Sequence, residues 1–575
     1  MATAERAEGE HAEGEHAKPH ELPTPRPPDG GWGWVVTLSS FMISVLVDGV
    51  CFSQGIFFNI FMNHFNSNKA TTSWIGSVLN GSYLIIGPFV SMLVNKYGCR
   101  QIAITGAVVS SVALFVSTFS PNIALHTFLY GCLGGIGFGF MYLPAIVMVG
   151  YYFDKRRALA TGIACCGSGI GAFVFAPLSE FLLGEYNWQG TTWIMSGLVL
   201  NGAIFSMFYR PLPAAACDHS DNSDMQLAEL GDSKPIYSKS RKDSEPIVRC
   251  RSYDMNLNKP VNGQVSVIKG ESDIARLAHS HGAIPQGHSH GHKQSYLQPL
   301  ERKDIFYSGS IRNLKEFSQA GSEREYTRSM FASHQSLQPA SGNKDEEESL
   351  SRCTRAARGL LSVFDFSLLK SPTFLLYGIS CFLCMMGFFV PFTYIPPLAL
   401  GMDISLKDAA FLVSIIGITN TVGRIVVGFV SDQSWADCLL INNIALIAAG
   451  VATILVPFYG SYGLLSAYVA IFGLGIAVFV SLRSIIMVEL MGLERLTSAF
   501  GLVIMFQGMS SYIGAPIAGA IADTFGSYNA AFYMSGATLA MAGVICIPLR
   551  RVAAWERARD NKHAAAESQA MLDNP

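Results

Sequence analysis

Apolar runs, each long enough to cross a bilayer as a helix, recur along the chain between shorter polar stretches. Six lie near 34–59, 72–94, 101–119, 123–150, 158–183 and 191–209. Six more lie near 373–398, 408–431, 438–458, 462–488, 498–522 and 529–549. A crossing helix needs about 20 such residues, so the pattern predicts an all-α integral membrane protein with twelve transmembrane helices. The polar sequence divides it further. Residues 1–33 read as a disordered tail rich in Glu, His and Pro, without the basic n-region or cleavage signal of a signal peptide. Residues 34–209 form one six-helix half, 210–371 a disordered connection, 372–549 a second half and 550–575 a C-terminal tail.

Lysine and arginine set the expected orientation. Lys96 and Arg100 follow the second run, Lys155, Arg156 and Arg157 the fourth, and Arg550, Arg551, Arg557 and Arg559 the twelfth. The alternate connections hold only Lys69 and Lys407. By the positive-inside rule both termini and the long connection are expected in the cytoplasm.

Composition agrees and excludes other classes. Half of the 575 residues are hydrophobic and 14% are charged, against about 25% charged in soluble proteins. Of the 82 charged residues, 42 fall between Arg210 and Lys370, which leaves the remainder too apolar for a water-exposed fold. A soluble enzyme is excluded, and a net charge of -2 gives no footprint for nucleic acid. Among the twelve cysteines, Cys132, Cys165, Cys166, Cys381 and Cys384 sit inside apolar runs, so no secreted disulfide framework is implied.

The two halves echo each other. An offset of 339 carries Arg156 to Arg495, Ala160 to Ala499, Gly162 to Gly501, Gly169 to Gly508, Ala176 to Ala515 and Pro177 to Pro516. The fifth run thereby matches the eleventh, a parallel six-plus-six repeat like that of major facilitator transporters, whose site lies between the halves near mid-membrane. The stretch Ser91-x-x-x-Asn95-Lys96-x-Gly98-x-Arg100 and, after the eighth run, Gly428-x-x-x-Asp432 resemble weakened copies of the loop motif of that superfamily. Small residues there permit close helix approach, and Asn95, Lys96, Arg100 and Asp432 are candidate latches.

Two sharper motifs narrow the resemblance. Asp29-Gly30-Gly31-Trp32-Gly33-Trp34 opens the first run, and Tyr152-Phe153-Asp154-Lys155-Arg156-Arg157-Ala158-Leu159-Ala160-Thr161-Gly162 opens the fifth. Both are similar to the signatures of the monocarboxylate transporter family. Trp32 and Trp34 suit an aromatic belt at the headgroups, and Asp29 is placed to cap the first helix. Lys155, Arg156 and Arg157 are expected at the inner surface, in anchoring or gating roles.

Charges inside apolar runs are costly and therefore functional candidates. Arg424 lies in the eighth run and matches an arginine that the resemblance implicates, with an aspartate four residues earlier, in binding carboxylate and proton. A guanidinium can hold a carboxylate in a two-pronged fork and stays charged. The aspartate is absent: Asn420 stands there and cannot titrate. A family lysine of the first run is also absent, with Phe52 at its position. Proton coupling of the lactate type does not carry over directly.

Asp48, four residues before Phe52, shares its helical face. Arg483 and Glu489 lie in the tenth run, Glu489 nearer its inner end. Two readings of Asp48 stand: it reads the cationic end of a zwitterionic substrate, or it neutralises Arg424 or Arg483 in one conformer.

Weaker signals add little. Cys381-x-x-Cys384 on an apolar helix reads as packing. His279, His281, His288, His290 and His292 read as low complexity, and Arg249-x-Arg251-Ser252 as a chance kinase-like string. His126 reads as interfacial, and Ile305 to Phe317 as a short docking helix. No metal, cofactor loop or nucleophile–base pair is indicated. The expectation is a secondary transporter of a small carboxylate-bearing metabolite working by alternating access. A transport-inactive receptor or scaffold is the rival of another class. The resemblance also implies, for some members, a single-span immunoglobulin-like partner glycoprotein.

Overall fold

A computed structural model of the chain describes residues 28–211, 302–321, 323–332, 366–431, 433 and 435–573. The N-terminal tail to residue 27, the histidine run, Arg249 to Ser252 and Asp432 lie outside the described residues.

Helices account for every apolar run. Span 1 is Trp32–Phe52, continued past Ser53 by Gln54–His64. Span 2 is Lys69–Ile85 and Gly87–Tyr97, bent by 47° where Pro88 opens the second piece; proline lacks the N–H that would carry the helix ladder through. Span 3 is Cys99–Ser117, and span 4 is Ile123–Tyr152, which contains a π-helical stretch at Thr127–Leu133. Arg157–Met207 runs for 51 residues but is broken at Asn187, with φ 55 and ψ -177, and so supplies spans 5 and 6.

The second half begins with span 7, Pro372–Leu400. Spans 8 to 11 are Leu406–Ser431, Cys438–Ile454, Tyr462–Met491 and Leu496–Thr524. Span 12, Asn529–Ile545, bends by 42° into a terminal helix, Leu549–Asp573. Eight helices are individually long and apolar enough to cross a membrane, and the two bent pairs bring these to ten. The break at Asn187 and the shorter apolar helix Cys438–Ile454 complete twelve. Side-chain caps start several of them: Asn68, Asn122, Ser371, Asp437 and Ser461 each accept a backbone N–H of the first turn.

The halves meet mainly through span 5 against span 8 and span 2 against span 11. The sequence repeat is visible in these contacts. Arg156 and Arg495 precede the first turns of spans 5 and 11, and Pro177 and Pro516 lie within them. Gly169 abuts Gly417 and Thr421 of span 8, while its counterpart Gly508 abuts Gly81 and Ile85 of span 2. Both glycines are therefore points of backbone approach between halves.

Parts of 210–371 and 550–575 are more ordered than their polarity suggests. Within the connection, residues 302–310 form an irregular turn, followed by a short 3-10 turn Ile311–Asn313 and the helices Lys315–Ala320 and Glu323–Ala332. The expected single helix from Ile305 to Phe317 is thus an irregular turn, a 3-10 turn and the start of a short helix. The terminal helix is docked as well: Arg550 pairs with Asp437 and Glu489, and Glu556 accepts from Thr373. The ion pair to Arg550 holds the Asp437 carboxyl below its usual range.

Candidate functional site

A narrow cavity near the middle of the bundle is walled by spans 1, 4 and 5 of the first half and closed by one residue of the second, Arg424. Asp48, Ser40 and Ser44 come from span 1, Tyr142 and Ala145 from span 4, and Thr161, Cys165 and Ser168 from span 5. Asp48 is 4% exposed and Arg424 7%. Arg424 Nη1 donates to the Cys165 carbonyl at 2.8 Å and Nη2 to Ser168 Oγ at 3.4 Å, while its buried Nε has no partner. Ser168 and Asp48 line the same cavity wall. Among the described residues, neither Asp48 nor Arg424 has an oppositely charged atom within 4.0 Å. The two opposite charges thus share one cavity without forming a contact pair.

The other residues expected at the site lie elsewhere. Asn420 is buried one turn from Arg424 but turns towards span 10, its Nδ2 3.5 Å from the Gly473 carbonyl and its Oδ1 unpartnered. Arg483 is absent from the cavity wall; its Nη1 donates to Gln507 Oε1 at 2.6 Å and its guanidinium lies over the Phe500 ring at 4.7 Å. Phe52 stacks on Phe392 of span 7, with centroids 4.4 Å apart and planes 15° from parallel. It belongs to an aromatic layer with Phe388 and Phe389 that joins the halves. Ser168 and Tyr142 escaped sequence reasoning, because a lone hydroxyl in an apolar run carries no cost that marks it.

That aromatic layer lies towards one face of the bundle, where the halves are sealed. Asp523 of span 11 accepts from the backbone N–H groups of Lys69 and Ala70, at 3.2 and 2.9 Å. Ser73 meets Tyr394, and Ser82 meets Tyr512 at 2.7 Å. The opposite face, where the chain passes into span 1 and out of span 12, is termed the terminal face below.

Comparison with known proteins decides the fold family. The Major Facilitator Superfamily model matches residues 35–487 and 439–572. The chain belongs to the major facilitator superfamily. Monocarboxylate transporter 14 of Mus musculus is 28% identical over 522 residues, covering 90% of each chain. Monocarboxylate transporter 12 of Xenopus laevis is 27% identical over 524 residues, covering 90% of this chain and 89% of its own. Monocarboxylate transporter 9 of Gallus gallus is 26% identical over 545 residues, covering 93% and 96%. Within the superfamily the chain is a multi-pass secondary transporter, not an enzyme, and is similar over nearly its whole length to curated monocarboxylate transporters.

At the terminal face of this transporter the two family signatures form one structural unit. Asp29 does not cap span 1, whose N-cap is Gly31. Its Oδ1 instead accepts from the backbone N–H of Asp154 at 2.7 Å and of Lys155 at 2.8 Å. Trp34 packs on Phe153 at 5.0 Å, and a Cβ on Gly33 would reach within 2.9 Å of the same ring. Gly31 has φ +53, which a glycine tolerates without strain. Gly30 only leads into this turn. Trp32 donates Nε1 to the Phe208 carbonyl, tying span 1 to span 6, and the Arg210 guanidinium covers its ring at 3.9 Å.

The three signature cations separate. Lys155 and Arg156 are exposed, whereas Arg157 is completely buried. Arg157 contacts Asp154 at 3.1 Å and Asp304 at 2.8 Å, and Arg302 pairs with the same two carboxylates. Burial tends to raise the Asp304 carboxyl pKa, but Arg157 and Arg302 outweigh it and hold the group well below the carboxylate range. Of the remaining candidate latches, Lys96 and Arg100 are exposed beside Gly98, whose φ is +83, and Asn95 Oδ1 is buried without a partner. Glu489 lies at the terminal end of span 10 and pairs with Arg550 at 2.8 Å. His126, in the first turns of span 4, is fully enclosed, with Nδ1 3.0 Å from the Ser117 carbonyl. Cys381 and Cys384 are buried free thiols.

Proposed function

We propose that this transporter carries a small monocarboxylate, or a related carboxylate-bearing metabolite, across the plasma membrane by alternating access. Arg424 supports this reading. A buried guanidinium with one unpartnered N–H and one long hydrogen bond retains donors for a carboxylate. Its placement as the one second-half residue in a first-half cavity lets a bound carboxylate draw the halves together. Both termini and the 210–371 connection face the cytoplasm, on the distribution of Lys and Arg. Asp48 is the one acid in the cavity wall, so any proton carried through the site would ride there and not at Asn420. The family resemblance adds a single-span immunoglobulin-like glycoprotein as a partner to this reading.

A second reading, favoured by the separated Asp48 and Arg424 charges, is a zwitterionic amino-acid or betaine-like solute moved by facilitated diffusion. Cells expressing the wild-type chain or Asp48→Asn, offered labelled monocarboxylates and zwitterions, distinguish the two. A simple carboxylate substrate predicts that Asp48→Asn keeps the same preference. A zwitterionic substrate predicts that the variant, at equal surface expression, loses zwitterion uptake by tenfold or more. Absence of uptake for every compound, with wild-type protein folded at the surface, would favour the scaffold.

A further inference from the structure

The terminal face differs from the sealed face in how the halves are joined. There, residues 302–308 of the connection bridge them. Towards the first half, Arg302 and Asp304 complete the buried cluster with Asp154 and Arg157, and the Ile305 backbone lies against Gly150 so closely that a Cβ there would sit 2.7 Å from the Ile305 carbonyl oxygen. Towards the second half, Phe306 stacks on Phe500 of span 11, with centroids 4.8 Å apart and planes at 12°. Ser308 Oγ meets Ser484 Oγ of span 10 at 2.6 Å, Thr497 donates to the Lys303 carbonyl at 3.3 Å, and Lys303 pairs with Glu494 at 3.5 Å. Seven consecutive residues therefore touch spans 4 and 5 on one side and spans 10 and 11 on the other.

Alternating access requires the sealed face to part and the terminal face to close. Closure moves spans 4 and 5 towards spans 10 and 11, into space that the backbone of 302–308 occupies. The helix Glu323–Ala332 locks this segment down. Its Tyr326 hydroxyl donates to Asp304 Oδ2 at 3.0 Å and its Thr327 hydroxyl to Asp154 Oδ2 at 3.2 Å. Tyr326 is 0% exposed. Two aspartates already balance two arginines among the described residues of the cluster, so a phosphate on Tyr326 would add negative charge directly beside Asp304.

We propose that residues 302–308, held down by the helix Glu323–Ala332, are an autoinhibitory wedge that holds the transporter open at its terminal face, and that Tyr326 is a phosphorylation site that keeps the wedge unseated. The enclosed hydroxyl becomes reachable when the wedge lifts. A protein kinase then transfers the γ-phosphoryl group of a nucleoside triphosphate to Tyr326 Oη. The new O–P bond replaces the β–γ bridge bond, the nucleoside diphosphate leaves, and the hydroxyl proton passes to a kinase base. The phosphate cannot return to its place beside Asp304, and the terminal face is free to close. Access to a cellular kinase rests on the cytoplasmic orientation proposed above; the test below does not.

The test uses the purified full chain in detergent, where both faces are accessible. Ser73→Cys places a thiol in the closed seam at a position 2% exposed. Its reaction with a maleimide, read by mass spectrometry of that peptide, reports opening of the sealed face. A soluble tyrosine kinase with magnesium nucleoside triphosphate is expected to phosphorylate Tyr326 and raise labelling fivefold or more. In Tyr326→Phe the kinase treatment should leave labelling unchanged. Gly150→Ala, which displaces the Ile305 backbone, should raise labelling without kinase. Ser308→Cys with Ser484→Cys, oxidised to a disulfide, should hold labelling low despite kinase, and reductant should restore the response. The reversible pair keeps the test decisive should Gly150→Ala fail to fold. No phosphate at Tyr326, or phosphorylation with unchanged labelling, overturns the proposal; so does equal labelling of the oxidised and reduced pair after kinase treatment.

Discussion

Individual residues show what is legible in a sequence and what is not. Arg424 and Asp48 stand out because an ionised side chain in an apolar helix costs several kcal/mol unless it faces partners or a cavity, and both do line one cavity. Arg483 raises the same flag but belongs with Gln507 and Phe500 instead. Expense marks a buried charge without saying which neighbour meets it. Asp29 illustrates the opposite failure. Its place before a helix suggested a local cap, yet its carboxylate serves backbone N–H groups 125 and 126 residues away. Asp29→Ala should therefore weaken the junction of spans 1 and 5 by about 1–3 kcal/mol, the cost of leaving such groups unmet. The expected outcome is a Tm lower by a few degrees in detergent, and an unchanged Tm would reduce the motif to a simple helix start.

At the scale of elements, the twelve apolar runs and the repeat are readable because both depend on local composition and register. The repeat even carries packing information. Gly169 and Gly162 both map onto glycines 339 positions later, but only Gly169 meets another backbone: a Cβ there would lie 2.2 Å from Thr421 Oγ1 and 2.4 Å from the Gly417 carbonyl. Nothing lies within 4 Å of a Cβ at Gly162. Gly169→Val should abolish uptake or surface delivery, while Gly162→Ala should leave both within about twofold of wild type, measured in one assay. The wedge is legible only in part, for a physical reason. The apolar run from Ile305 marks a docking segment in the sequence but not what it docks on, because its charges are matched only in three dimensions. Asp304 faces Arg157, Arg302, Asp154 and Tyr326, and its folded pKa is depressed below the ordinary value of about 3.9. Its contribution to seating is therefore complete above that ordinary value and lost only as pH falls through the lower folded one. Hydrogen-exchange protection of 302–308, corrected for intrinsic rates, should be constant from pH 5 to 8; a loss within that window would contradict the pairing.

At the scale of the whole molecule, the helices form a parallel repeat whose halves meet through spans 5 and 8 and spans 2 and 11. They are sealed at one face and bridged by the wedge at the other. The central cavity belongs mostly to the first half, with Arg424 as the second half's contribution, so a ligand at the proposed site would touch both halves. Under the proposed function a carboxylate held there by two charge-assisted hydrogen bonds would gain roughly 1.5–3 kcal/mol from each, and losing one would correspond to about a ten- to hundredfold change. The most direct measurement is uptake of labelled monocarboxylates into proteoliposomes containing the purified chain, with internal pH recorded alongside. The expected result is saturable uptake by wild type, reduced at least tenfold in both Arg424→Gln and Arg424→Lys, since lysine keeps the charge but loses the fork. Undiminished carboxylate uptake by a folded Arg424→Gln protein would contradict the account.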